Sequence, residues 1–341
     1  MKNSLPAKLM VGIFDHLDED GREIARQYED RMKLAEVCDR LGFYGYHVAE
    51  HHCTPHGRGP SPNLFLASVA QRTQHLRLGP LVMLLNLYHP LRAFEEICML
   101  DHLSGGRLEL GMGRGSLPIE WSFFGIDEEV ATSRYLEASE IVIQAMKEGA
   151  QALSYKGDHF ELDKVPLMLR PHQRPQPPTW ITTSRPEVAR WAAENDTNLA
   201  CGGPASAVRQ ITDAYRAHER RTAGGRKRAP FLGLVRMVVA GSTTKHAISL
   251  AAPAYQRWLR SFRFLYEING IQTPQNLPPD FDAAVDCQLC VVGTAASVRQ
   301  DLLDHVEEAG ANYLLCQLAF GDLPLEASYY TATSVHSGVM A

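Results

Sequence analysis

The chain has no uninterrupted apolar run near the roughly 18 residues that a membrane-spanning helix needs, so no membrane partner is expected. Its opening, MKNSLPAKLMVGIF, has neither a signal-peptide core nor a cleavage site and moves straight into a strand-like segment. A cytoplasmic protein is the expectation. An excess of positive charge is lacking as well: 34 basic against 39 acidic residues give a net charge of −5, so no general field draws nucleic acid. The one dense basic stretch, HERRTAGGRKR ending at Arg228, reads as a solvated helix end and loop. Cysteine is scarce and odd in number, seven in all, which fits reduced thiols in apolar settings rather than a disulfide framework. Cys287 and Cys290 make a CxxC, but no second pair completes a zinc site. Also missing is a GxGxxG dinucleotide fingerprint, since Gly111, Gly113 and Gly115 supply only GxGxG. Internal repeats and low-complexity tracts are absent.

With 341 residues and 45% hydrophobic content, the chain can form two domains or one large α/β barrel, and the order of elements has to decide. Strand-like segments fall at Lys8 to Phe14, Tyr44 to Ala49, Leu76 to Leu87, Arg107 to Met112, Thr179 to Thr183, Asn198 to Cys201, Phe231 to Ala240 and Asn312 to Leu318. Helical spacing fills the gaps, for example at Tyr28 to Leu41, His89 to Leu103, Arg134 to about Ala152, Thr244 to Leu265 and Ala295 to Ala309. One continuous alternation of this kind predicts a (β/α)8 TIM barrel spanning residues 1–341, with excursions near 116–132, 155–178 and 266–290. Chemistry in such a barrel sits at the carboxyl ends of its strands.

Those ends are rich in candidates. After the second strand come Glu50, His51, His52, Cys53 and His56, with His47 inside the strand itself. Three readings stay open: a metal site for a barrel hydrolase built on His47 to His56, hydrogen-bonded loop residues, or an active-site base. Against metal, adjacent His51 and His52 point opposite ways in extended chain. Arg114 stands between Gly113 and Gly115 where the fourth strand runs out, a setting in which a guanidinium can meet phosphate oxygens at close backbone approach. After the fifth strand, Thr183, Ser184 and Arg185 precede a helix N-terminus, which suits an anion, although capping alone would explain Ser184. Gly79-Pro80-Leu81-Val82 hints at a distorted third strand, with Asn86 and Tyr88 at its exit. Trp121, Phe123, Phe124 and Phe320 can line an apolar pocket or fill core.

The stretch HPLRAFEEICMLDHLSGGRLELGMGRG, His89 to Gly115, resembles the central signature of the bacterial luciferase-like, flavin-dependent oxidoreductases. Val48-Ala49-Glu50-His51-His52, Phe124-Gly125-Ile126-Asp127, Pro178-Thr179-Trp180-Ile181 and Val292-Gly293-Thr294 follow in that family's order. The resemblance implies a monooxygenase that takes reduced FMN from a separate flavin reductase and uses oxygen on a small organic substrate, commonly as a homodimer. It places His51 beside the flavin as the catalytic group, Arg114 and Arg134 on the phosphate, and the backbone of Ser116 along the ring system. It further implies a cis peptide between Leu81 and Val82 under the flavin. Ser184 and Arg185 depart from luciferase, which has an acidic residue and a serine there, and Val188 replaces a phosphate-binding threonine; Arg185 is a candidate to supply that contact. Gly113 stands where luciferase has its reactive cysteine, so light emission is not implied. The same signature extends to dehydrogenases and reductases using a deazaflavin coenzyme, the nearest alternative.

Overall fold

Parallel strands that are covered on both faces need apolar side chains at nearly every position, and the continuous apolar runs of this sequence meet that need. The computed structural model describes residues 9–147, 149–219 and 229–340; Met1 to Lys8 and most of the basic stretch, Arg220 to Arg228, lie outside the described residues. In chain order, β1 (Met10–Asp15), α1 (Ile24–Arg40), β2 (Gly45–Val48), α2 (Pro62–Ala70), β3 (Arg77–Pro80), β4 (Met83–Leu84), α3 (Pro90–Leu103) and β5 (Leu110–Gly113) form the first half. Next come α4 (Pro118–Ser122), α5 (Glu128–Met146), β6 (Ala152–Lys156), β7 (Glu161–Pro166), β8 (Thr179–Thr182), α6 (Pro186–Glu194), β9 (Asn198–Cys201) and α7 (Ala205–His218). The remainder is β10 (Leu232–Gly241), α8 (Thr244–Ile268), α9 (Phe281–Asp286), β11 (Cys290–Thr294), α10 (Ala295–Ala309), β12 (Tyr313–Gln317) and α11 (Leu325–Val335).

The strands run around the ring as β3, β2, β1, β12, β10, β9, β8, β5 and β4, all parallel. β3 and β4 are two halves of one stave: the first pairs with β2, the second with β5, and the Leu81–Val82 peptide between them is cis. A parallel bridge from Leu78 to Leu108 closes the ring. Glycine permits that approach, because a Cβ on Gly79 would collide with the Glu109 carbonyl oxygen. The amino end of the barrel is plugged. There the Glu109 carboxylate accepts from Trp180 Nε1 at 2.6 Å and from Tyr44 and Arg77, while His47 Nε2 meets Tyr313 Oη at 3.0 Å. Burial, with Arg77 adding to it, drives the His47 pKa down to about 3.

Three expectations change. Helix α5 starts at Glu128 rather than Arg134, with Glu128 and Glu129 in its first turn favouring the positive helix end. The excursion at 155–178 contains part of an antiparallel hairpin, β6 with β7. Within the excursion at 266–290, α9 forms and β11 begins, extending the outer half of β10 from Met237 to Gly241. All seven cysteines are free, and Cys290 is buried beside Met237. No helix among the described residues is long and apolar enough to cross a membrane.

Candidate active site

Strand β2 is buried throughout and releases its chain at Ala49, after which alternation sends neighbouring side chains in opposite directions. Each histidine of the pair finds its own carboxylate. His52 Nε2 lies 2.9 Å from Glu50 Oε1, whereas His51 Nδ1 lies 3.2 Å from Glu120 Oε1 on α4. The same Glu120 oxygen accepts the backbone N–H of His52 at 2.8 Å, so one buried carboxylate fixes both the loop and the His51 ring. Glu50 is equally occupied: its other oxygen accepts the Leu84 N–H at 3.1 Å, and Tyr88 bonds to it as well. With Nδ1–H turned to Glu120, Nε2 of His51 keeps its lone pair.

Two more imidazoles join His51. His16 follows β1 and stacks on it with ring centroids 5.8 Å apart; His56 sits 4.8 Å from His51 and 4.3 Å from His16. From α8, Trp258 and Phe262 close over His56 at 5.5 and 5.1 Å. Burial holds both His16 and His56 well below the usual histidine range, and the neighbouring imidazoles push the same way. Gln317, at the end of β12, donates its amide to His16 Nδ1 at 3.2 Å.

A cationic rim lies nearby. Arg114 leaves β5, donates to Thr132 Oγ1 at 2.7 Å and lies over the Trp121 ring at 4.9 Å. Because Glu120 and Trp121 are consecutive on α4, that one short helix holds His51 through the first and Arg114 through the second. Arg134 donates from Nε to the Asn86 carbonyl at 2.9 Å and covers the Phe160 ring at 4.6 Å. Neither arginine has a carboxylate partner among the described residues. Both side-chain amide atoms of Asn86 are buried without a partner. Two uncompensated guanidiniums and an orphaned amide beside the broken β3–β4 stave, where Leu81 and Val82 are buried, suit a phosphate-bearing ligand with a polar ring system.

Other expected groups are arranged differently. Ser116 is exposed. Thr183, Ser184 and Arg185 follow β8, the stave next to β5, but Arg185 turns to Glu187 of its own helix at 3.6 Å. Arg185, not Ser184, is the N-cap of α6, and Thr183 Oγ1 accepts the Arg185 N–H at 3.0 Å. Trp121 and Phe320 are core residues, while Phe123 and Phe124 are exposed. His47 belongs to the plug at the opposite end of the barrel interior, and His52 is engaged by Glu50. The histidines that do converge include His16, which lies before the predicted cluster. His16, Glu120, Gln317, Trp258 and Phe262 went unnoticed in sequence, although a histidine just past the first strand and a glutamate beside Trp121 were legible signals.

A family model for luciferase-like monooxygenases matches residues 9–313. The chain belongs to that family. As a luciferase-like, flavin-dependent monooxygenase it is an oxidoreductase, and the expectation of a metal-dependent hydrolase is set aside. The uncharacterized protein y4wF of Sinorhizobium fredii is 68% identical over 340 residues, covering 100% of this chain and 99% of that one. The oxygenase component of a flavin-dependent trigonelline monooxygenase from Acinetobacter baylyi is 27% identical over 195 residues, 56% of this chain and 53% of its own length. Among solved structures, the monooxygenase RslO1 of Streptomyces bottropensis superposes with a TM-score of 0.86 at 26% identity, covering 97% of this chain and 98% of that one.

Proposed function

We propose that this luciferase-like monooxygenase is the cytoplasmic oxygenase half of a two-component system. It takes reduced FMN from a separate flavin reductase and, as a homodimer, inserts one atom of oxygen into a small organic substrate. The observation that carries the reading is the pair of guanidiniums, Arg114 and Arg134, left without carboxylates beside the orphaned amide of Asn86. The arginines would hold the phosphate, and Leu81, Val82 and the backbone of Ser116 would border the ring system, with Thr183, Ser184 and Arg185 on the adjoining rim. Reduced flavin supplies the electrons that activate oxygen; the protein binds, orients and excludes water. His51 moves a proton at Nε2, and Glu120 holds its ring.

Titration with oxidised FMN, reduced FMN and a deazaflavin coenzyme, followed by oxygen uptake, tests this reading. FMN should bind, and Arg114→Ala should weaken it by about 1.5 to 3 kcal/mol, the scale of a charged hydrogen bond. Equal FMN affinity in variant and parent would remove Arg114 from the phosphate site. Turnover with the deazaflavin and none with FMN would replace oxygen insertion by hydride transfer.

A further inference from the structure

The three imidazoles beside the rim are not equivalent, and their hydrogen bonds say what lies between them. His16 accepts from Gln317 at Nδ1, which leaves its proton on Nε2 as a donor. His51 gives its Nδ1 proton to Glu120, which leaves an acceptor at Nε2. His56 is 4% exposed and neither of its nitrogens has a partner. A donor and an acceptor on neighbouring rings can both be met by a single atom that carries a proton and offers lone pairs, and the buried, unpartnered nitrogens of His56 call for a polar partner as well.

Proton placement decides between an oxygen and a metal ion. One nitrogen from each ring lies within 4.8 Å of the other two. Nitrogens that close can all reach one small polar atom placed among them at hydrogen-bond length. A metal ion needs a lone pair from each ring, and His16, whose Nδ1 accepts from Gln317, carries a proton rather than a lone pair at Nε2. Around the cradle the walls are rings: Phe14 lies 4.7 Å from His16, and Trp258 and Phe262 lie 5.5 Å from each other. Flat apolar walls around a hydroxyl-sized polar point match an aromatic ring bearing one O–H.

We propose that His16, His51 and His56 form a cradle for the hydroxyl of a phenol, with His51 Nε2 accepting its proton and His16 Nε2 donating to its oxygen. The O–H bond breaks, an N–H bond forms at His51 Nε2, and the electron pair stays on oxygen. Glu120 balances the imidazolium, and no oxidant is consumed. A phenolate ring is richer in electrons than the phenol, which readies its carbons for an electrophilic oxygen atom. The use of that atom rests on the function proposed above, whereas binding and proton transfer do not.

The test titrates flavin-free protein with phenol, anisole and toluene by calorimetry and difference absorbance. Phenol should bind about tenfold or more tighter than the other two, the worth of one hydrogen bond, and show the red-shifted band of phenolate. His51→Ala should abolish that band. His16→Phe, which keeps a ring in the stack, should weaken phenol by about tenfold with FMN affinity unchanged. Equal binding of phenol and anisole, or no binding of phenol, overturns the proposal. So does stoichiometric uptake of cobalt(II) with a tetrahedral absorption band that His56→Phe removes. Phenol binding without FMN binding would sink the flavin reading and leave the cradle standing; FMN binding without phenol binding would do the reverse.

Discussion

Glu120 is a buried carboxylate that touches two consecutive residues of another loop, accepting from the His52 backbone and from the His51 ring. Its charge fixes which nitrogen of His51 is protonated, and such supporting partners typically matter by about 10 to 100-fold. Glu120→Gln keeps the shape but can turn its amide N–H toward Nδ1, which favours the other tautomer. The expected result is coupled oxygenation lowered at least about tenfold with FMN affinity within about twofold of the parent, read by product yield and flavin fluorescence. Unchanged coupling would reduce Glu120 to a loop anchor. The residue scale is also where sequence reasoning ran short. His51 and Arg114 stood out because their neighbours, a run of imidazoles and a pair of glycines, are local in the chain. Glu120 is 69 residues from His51, and Gln317 is 301 residues from His16. No local pattern encodes a contact closed by the last stave of a ring.

At the scale of elements, each barrel strand was legible because burial on both faces leaves a nearly unbroken apolar run. The hairpin of β6 and β7 was not, since it is mostly exposed and its few buried positions, Leu153 and Leu162 among them, are diluted by charge. β11 escaped notice for a different reason: it adds to the outer end of β10 rather than to the ring, where no regular alternation announces it. The broken third stave was signalled by Gly79-Pro80, and its halves meet β5 too closely for a side chain at Gly79. Gly79→Ala should therefore destabilise the fold by about 1 to 3 kcal/mol or more, the cost of overpacking against backbone. Thermal unfolding of the variant checks this, and an unaltered midpoint would mean that the stave shifts freely.

For the molecule as a whole, α2 and α3 carry large apolar side chains outward: Leu64 is 72% exposed, Met99 55% and Leu103 50%. Apolar side chains grouped on neighbouring helices mark an association surface when they form a patch. If the proposed homodimer uses them, Leu64→Lys with Met99→Lys should give a monomer by light scattering while the far-ultraviolet spectrum stays intact. A dimer that survives both changes would place the interface elsewhere. The barrel, its function class and the imidazole-rich loop were all readable from residues alone; the geometry added which histidines meet and which carboxylate each one owns.

The Glu109 plug at the amino end of the barrel has a consequence for traffic. With the floor sealed by interlocked rings and charges, the flavin, oxygen and organic molecule of the proposed reaction would share the doorway at the opposite mouth. Arrivals and departures would then queue, and whichever occupant sits deepest would be the last to leave.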